Sequence, residues 1–297
     1  MKNKLRGSAC LLGATVIWGS AFVAQSVGMD YIDPFTFQAV RCALAVIGLL
    51  PIIFIADRLG GRKFLAGWKN RRLWLGGALC ALPLFLAVNL QQVGLVSVDA
   101  GKSAFLTAMY IVIVPILGLF RKQKLSPIIP LCVALAVAGL YFLSCMGATG
   151  LEFGDLCLIL CAFMFAVQIT LVDHFAPGLD SLRLNLIQSL VCSALSAVLM
   201  LLFESPNLHA ISLCAIPLCY TGFLSMGAAY SLQIMGQKDL EPSTASLIMS
   251  LESVFALLCG ALFLKERMSL WEAVGCGLVF LAVILSQVPM PKKKVTA

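Results

Sequence analysis

The sequence predicts an all-α polytopic membrane protein whose ten transmembrane helices form two inverted five-helix repeats. Three observations lead there. Hydrophobic residues make up 61% of the 297 and charged residues only 12%, where a soluble domain averages about 45–50% and about 25%. Half the usual charge cannot cover a soluble surface. Ten apolar stretches approach the roughly 20 residues that a bilayer-crossing helix needs. The two halves of the chain also match each other at fixed offsets, the signature of an internal repeat.

The expected spans are 6–27, 34–56, 73–95, 101–120, 126–146, 154–175, 182–203, 210–234, 242–264 and 269–288. Lipid offers no partner to backbone polar groups, so each must be a helix. The first follows a basic start, as a signal peptide does, but many similar runs succeed it and no polar mature domain follows. The second carries Gln38 and Arg41 on one face, and the third carries Asn89 and Gln92 three residues apart. Ser103, Thr107 and Tyr110 form a stripe on the fourth at spacings of four and three. The fifth and tenth are nearly free of polar groups. They hold the small-residue pairs Ala134/Ala138 and Ala273/Gly277, which permit close helix packing. The seventh carries Asn185 and Gln188 on one face, and the eighth Tyr230, Gln233 and Gln237. Pro83, Pro115 and Pro217 fall inside spans and are expected to kink them. The ninth holds Ser246, Ser250, Glu252 and Ser253. The pattern describes eight helices around a polar cavity, with the fifth and tenth outside.

Lysine and arginine orient the spans. With the N-terminus cytoplasmic, seventeen of the 21 fall in inside segments, including Lys2, Lys4, Arg6, the 58–72 loop, Arg121, Lys122, Lys124, Arg183, Lys238 and Lys292–Lys294. Three (Lys102, Lys265, Arg267) fall outside and Arg41 lies within a span. Both termini are therefore expected in the cytoplasm. The net charge of +7 is mostly a topology signal, and nucleic acid is not an expected partner.

The repeat runs from 1–148 to 149–297. An offset of 147 pairs Gly7 with Gly154, Cys10 with Cys157, Trp18 with Phe165, Asp33 with Asp180, Gln38 with Asn185 and Arg41 with Gln188. An offset of 143 pairs Ser103 with Ser246, Thr107 with Ser250, Tyr110 with Ser253, Lys122 with Lys265 and Lys124 with Arg267. Five is odd, so the second half starts from the opposite side and is inverted, a recurring plan of secondary transporters that alternate access around a midplane site.

At this point three stretches resemble a known family. "GATVIWGSAFVAQ", "AGKSAFLTAMYIVIVPILGLF" and "SLESVFALLCGALFLKERMSLWEAVGCGLVFLAVIL" are similar to the first, fourth, and ninth and tenth spans of the EamA branch of the drug/metabolite transporter superfamily. The resemblance covers nearly the whole chain. It implies a ten-helix carrier of the bacterial cytoplasmic (inner) membrane that moves small metabolites, often outward: amino acids, related small molecules or, in distant branches, sugar-linked nucleotides. Ser253 stands where the family often has proline, and Lys265 where it often has glycine.

Ionisable residues inside spans are functional candidates. Glu252 lies ten residues from Pro242, or about 15 Å at 1.5 Å per residue, near the middle of a hydrocarbon core about 30 Å thick. Arg41 lies seven residues from Pro34, or about 10 Å deep. Three roles are open to Glu252: an ion pair with Arg41, a packing hydrogen bond, or binding of a cationic cargo group or a coupling proton. The candidate cavity residues are Trp18, Phe22, Gln38, Arg41, Asn89, Gln92, Ser103, Thr107, Tyr110, Tyr230, Gln233, Ser246, Ser250 and Glu252. For the amides, bonding between helices is the commoner role. No cofactor is expected. The cysteines lack a CxxC spacing, and His174 and His209 stand alone, so no metal cluster assembles from them. The alternatives to a carrier are a membrane-embedded enzyme acting on a lipid-like substrate, or a channel. An enzyme would need acids, bases or metal ligands gathered at an interface, and the loops hold no such motif. A homodimer through the fifth and tenth helices is a candidate assembly.

Overall fold

The computed structural model describes residues 2–123, 126–144, 152–263 and 269–287. All regular structure among them is helical: α1 (Lys2–Gly28), α2 (Pro34–Leu59), a 3-10 turn (Phe64–Lys69), α3 (Arg71–Gly94), α4 (Ala100–Ala108), α5 (Tyr110–Phe120), α6 (Ile129–Ser144), α7 (Phe153–Phe175), α8 (Ser181–Phe203), α9 (Leu208–Leu213), α10 (Ala215–Cys219), a π-helix (Tyr220–Ala229), α11 (Tyr230–Gln237), α12 (Pro242–Met249), α13 (Leu251–Phe263) and α14 (Leu270–Gln287). Lys124, Lys265, Arg267 and Lys292–Lys294, which bear on the charge count and the repeat, lie outside the described residues.

Eight helical stretches among the described residues are long and apolar enough to cross a membrane, with α4–α5 and α12–α13 each counting as one. Ile129–Phe142 is apolar but shorter. The expected eighth span is not a single α-helix. It is assembled from α9, α10, the π-helix and α11, and the physical cause is local. Pro217 inside α10 offers no N–H to the Leu213 carbonyl one turn earlier, and the Thr221 hydroxyl donates to the Pro217 carbonyl at 2.7 Å. Within the π-helix, the Asn185 amide takes up the Met226 and Gly227 carbonyls, each at 2.9 Å. By contrast α3 and α5 run on through Pro83 and Pro115. The mid-span breaks fall instead at Met109 and Ser250, where i→i+3 bonds tighten the backbone: Met109 N to Leu106 O at 3.3 Å, and Ser253 N to Ser250 O at 3.2 Å.

Helix starts are fixed by polar groups. Pro34 and Pro242 open α2 and α12 at the first turn, where a missing N–H costs nothing. Asp33 does not cap α2 with its side chain. Glu204, from the end of α8, does so by accepting from Phe35 N at 2.7 Å, Thr36 N at 2.6 Å and Thr36 Oγ1 at 2.7 Å. Asp180 caps α8 by accepting from Arg183 N at 3.0 Å.

The helices pack in pairs: α6 on α14, α3 on α7 and on α8, α2 on α8 and on the π-helix, α1 on α11, the π-helix, α12 and α13, and α7 on α4 and α5. Glycines set the closest crossings. A Cβ on Gly7 would lie 2.9 Å from Gly236 O, and one on Gly154 would lie 3.1 Å from Gly94 O. On the outside, α6 and α14 meet where a Cβ on Gly139 would lie 2.7 Å from Gly275 O. Ala134, Ala138, Ala273 and Gly277 point away from that contact and are exposed.

Candidate functional site

The side chains converge on a narrow central cavity of about 30 Å³, room for on the order of two water molecules. The arms of the bundle supply its walls in turn. α1 contributes Trp18, Phe22 and Gln25, one face at spacings of four and three. Arg41 comes from α2, Gln91 from α3, Tyr110 from α5, and Phe165 and Ile169 from α7. Ser225 of the π-helix, Tyr230 and Gln233 of α11, Met249 of α12 and Glu252 of α13 complete it. None of these lies on α6, α8 or α14.

Two opposite charges face this space, and both are buried: Arg41 is 1% exposed and Glu252 5%. They do not pair with each other. Arg41 Nε donates to Gln38 Oε1 at 2.6 Å, and Arg41 Nη1 donates to Gln25 Oε1. Glu252 Oε1 accepts from the Tyr110 hydroxyl at 2.9 Å. Tyr110 opens α5 directly after the Met109 break, and Glu252 follows the Ser250 break by two residues. The bond thus joins two interrupted helices at their interruptions. Aromatic rings frame the charges, with Trp18 edge-on to Tyr230 at 5.0 Å and Tyr110 edge-on to Phe165 at 6.5 Å. Two polar atoms of lining residues are buried without a partner, Trp18 Nε1 and Gln233 Oε1. Gln233 Nε2 donates to Gln168 Oε1, and Gln168 Nε2 donates to Gln188 Oε1, both at 3.1 Å.

Of the expected cavity residues, Trp18, Phe22, Arg41, Tyr110, Tyr230, Gln233 and Glu252 line it. The other seven do not, and each is spent elsewhere. Gln38 supports Arg41 and donates to Val88 O. Asn89 donates to Phe85 O at 2.8 Å and Ser196 Oγ at 2.9 Å. Gln92 donates to Gln25 O at 3.3 Å. The hydroxyls of Ser103, Ser246 and Ser250 bond to Val98 O, Ser243 O and Leu247 O of the preceding turn. Thr107 accepts from Gln91 Nε2 at 3.3 Å. The proposed Arg41–Glu252 ion pair is likewise replaced by neutral partners. Sequence reasoning missed Gln25, Gln91, Phe165, Ile169, Ser225 and Met249. The i, i+4, i+7 face running from Trp18 through Phe22 would have found Gln25; the apolar members carry no signal of their own.

Charged groups pair at the two ends of the bundle. Toward the N-terminus of α1, Arg6 Nη2 meets Asp239 at 2.8 Å and Arg121 meets Asp173 at 3.5 Å. Arg183 meets Asp57, with Asp180 at 3.1 Å and the Trp68 ring at 5.3 Å. Lys238 donates to Leu179 O at 2.5 Å, and burial holds its ammonium below the usual lysine pKa. At the other end Lys102 meets Asp155 at 2.8 Å.

An all-helical bundle of membrane-spanning length, with charged groups paired at its ends and a polar cavity at its centre, is the architecture of a multi-pass membrane protein. Comparison with known proteins names it more closely. A model described as the EamA-like transporter family matches residues 5–145 and again 152–287. The chain belongs to that family. It is 30% identical over 276 residues to an uncharacterized transporter of Archaeoglobus fulgidus, covering 91% of this chain and 82% of that one. It is 21% identical to the uncharacterized transporter YoaV of Bacillus subtilis, covering 96% and 98%. A crystal structure at 17% identity shares the fold, with a TM-score of 0.76 over 95% of this chain and 96% of the other. These matches point to a transporter rather than an enzyme.

Proposed function

We propose that the chain is a secondary transporter of the cytoplasmic membrane that exports small metabolites, amino acids or related compounds, by alternating access. One observation carries the reading: Arg41 and Glu252 line a single cavity, each desolvated and each held by neutral partners only. A buried charge without a counter-ion is costly. A cargo bearing both an ammonium and a carboxylate supplies both counter-ions at once. The present cavity is too small for such a cargo, so one end of the bundle parts to admit it.

Ten helices in two inverted repeats, 1–148 and 149–297, are part of the proposal. The double match of the family model supports it. So does the packing: exchanging the halves maps the α1–α13 contact onto α7–α5, the α1–α12 contact onto α7–α4, and the Gly7–Gly236 crossing onto Gly154–Gly94. Trp18 and its repeat mate Phe165 both line the cavity. A proton is the proposed coupling ion, with Glu252 as its site. A homodimer through the exposed Ala134/Ala138 and Ala273/Gly277 faces is also proposed; a monomer in cross-linking and light scattering removes it.

The transport reading is tested by counterflow in proteoliposomes, with amino acids, amines, carboxylates and nucleotide conjugates as competitors and with and without a proton gradient. Zwitterions are expected to compete, and the gradient to accelerate exchange. No counterflow with any of these compounds refutes the carrier reading.

A further inference from the structure

The central cavity comes within one residue layer of a second pocket at the end of the bundle that carries Arg6. That end pocket measures about 460 Å³ and is lined in part by Lys4, Asp173, Gln237, Lys238, Asp239 and Glu241. Gln237 is buried, and its Nε2 donates to Ile169 O at 3.1 Å. Ile169 in turn lines the central cavity. One turn earlier on α11, and so on the same face, Gln233 lines that cavity as well. The Gln237–Ile169 contact crosses the seam between α7 and α11 and joins a residue of one space to a residue of the other.

The amide orientations matter here. A backbone carbonyl only accepts, so the bond to Ile169 commits the Gln237 nitrogen and leaves Gln237 Oε1 over. That oxygen is buried without a partner, and Gln233, bonded only through the Gln168 and Gln188 side-chain amides, keeps one end of its amide over as well. Buried acceptors without donors are costly and are rarely left so. Gln237 and Gln233 stand on one helix face, leading from the end pocket toward the Glu252 carboxylate. At the mouth, Asp173 and Asp239 already have Arg121 and Arg6 as partners and the Glu241 carboxylate is exposed, so the acceptors that are both unmet and buried on this path belong to the amide layer.

We propose that cargo moves between the central cavity and the end pocket along this α7–α11 seam. Gln237, clasped to Ile169, is the gate on that route. The Gln237 and Gln233 oxygens receive in turn the N–H donors of an ammonium group, which is the chemistry the route selects. The proposal rests on the transporter reading but is tested apart from it.

Gln237→Cys and Gln233→Cys are made in the full-length chain and reconstituted in vesicles of both orientations. Two membrane-impermeant methanethiosulfonates of similar size are applied, one bearing a quaternary ammonium and one a sulfonate. Peptide mass spectrometry locates the label and separates it from the native cysteines. Both positions are expected to react from the Arg6 side only. The ammonium reagent reacts about tenfold faster than the sulfonate, after normalisation to Lys63→Cys, an exposed position at the same end. Adding Gln237→Ser to Gln233→Cys, which shortens the clasp, raises the labelling rate at position 233 severalfold. Where Gln237→Cys does not yield monodisperse protein, the Gln233→Cys pair carries the test alone. Protection from both sides, equal or sulfonate-favoured rates, or no response to Gln237→Ser overturns the proposal. Labelling reports access without turnover, so its failure leaves a positive counterflow result standing, and a negative counterflow result leaves the labelling outcome to be read by itself.

Discussion

Glu252 and Arg41 each sit where a charge costs about 2.5–3.5 kcal/mol on the insertion scale. Both stood out in the sequence because nothing ionisable surrounds them. What the sequence did not reveal is that neutral intermediaries keep them apart. Gln25 and Gln38 occupy the guanidinium, and Tyr110 occupies one carboxylate oxygen. Polar residues that bond to the backbone one turn away look the same in sequence as those that face a cavity, which is why the serine stripes misled. Glu252→Gln separates charge from packing. The amide oxygen still accepts from Tyr110, so the thermal midpoint in detergent should hold. Exchange of a zwitterion in proteoliposomes should fall at least tenfold, about 1.4 kcal/mol or more, and its pH dependence should flatten. Exchange that keeps both its rate and its pH profile sinks the coupling role.

Between elements, the tightest ties are a buried ion cluster and a set of glycine crossings. Asp57 at the end of α2 and Arg183 at the start of α8 are 1% and 3% exposed. They fasten the 3-10 turn, whose Gly67 lies so close that a Cβ would come within 2.4 Å of Arg183 Cζ. Asp57→Asn leaves Asp180 as the one carboxylate on Arg183 and should cost about 3 kcal/mol in chemical denaturation. Arg62→Gln removes the second partner of Asp57, at 3.4 Å and with a side chain 61% exposed, and should cost no more than about 1 kcal/mol. Equal losses would mean that the cluster is not a buried latch. At the α1–α13 crossing, a Cβ on Gly19 would lie 2.4 Å from Phe255 Cβ and 2.7 Å from Ala256 N. Gly19→Leu should therefore pry α1 from α13 and lower stability by about 1–3 kcal/mol; an unchanged denaturation midpoint contradicts that packing. The spans themselves were legible from apolar run length. The breaks at Met109 and Ser250 and the π-helix were not, because they arise from i→i+3 bonds and from carbonyls taken up by Thr221 and Asn185, none of which has a composition signal.

For the molecule as a whole, the charge count gave an orientation, and the ion pairs supply an independent check on relative sidedness. Arg6 meets Asp239, Arg121 meets Asp173 and Arg183 meets Asp57, all among segments that the count assigns to one side. Lys102 meets Asp155, and Glu204 caps α2 beside Thr36, all among segments assigned to the other. No ion pair among the described residues joins the two sets. Absolute sidedness is a separate prediction: which set faces the cytoplasm. The positive-inside rule answers through the 58–72 loop, whose six lysines and arginines resist translocation. Reporter insertions near residues 61, 122 and 178 should all read cytoplasmic, and insertions near 31, 97 and 206 periplasmic. A mixed result within either set would break the pairing logic. A clean inversion of both sets would instead keep the fold and reverse the direction in which the Gln237 seam opens.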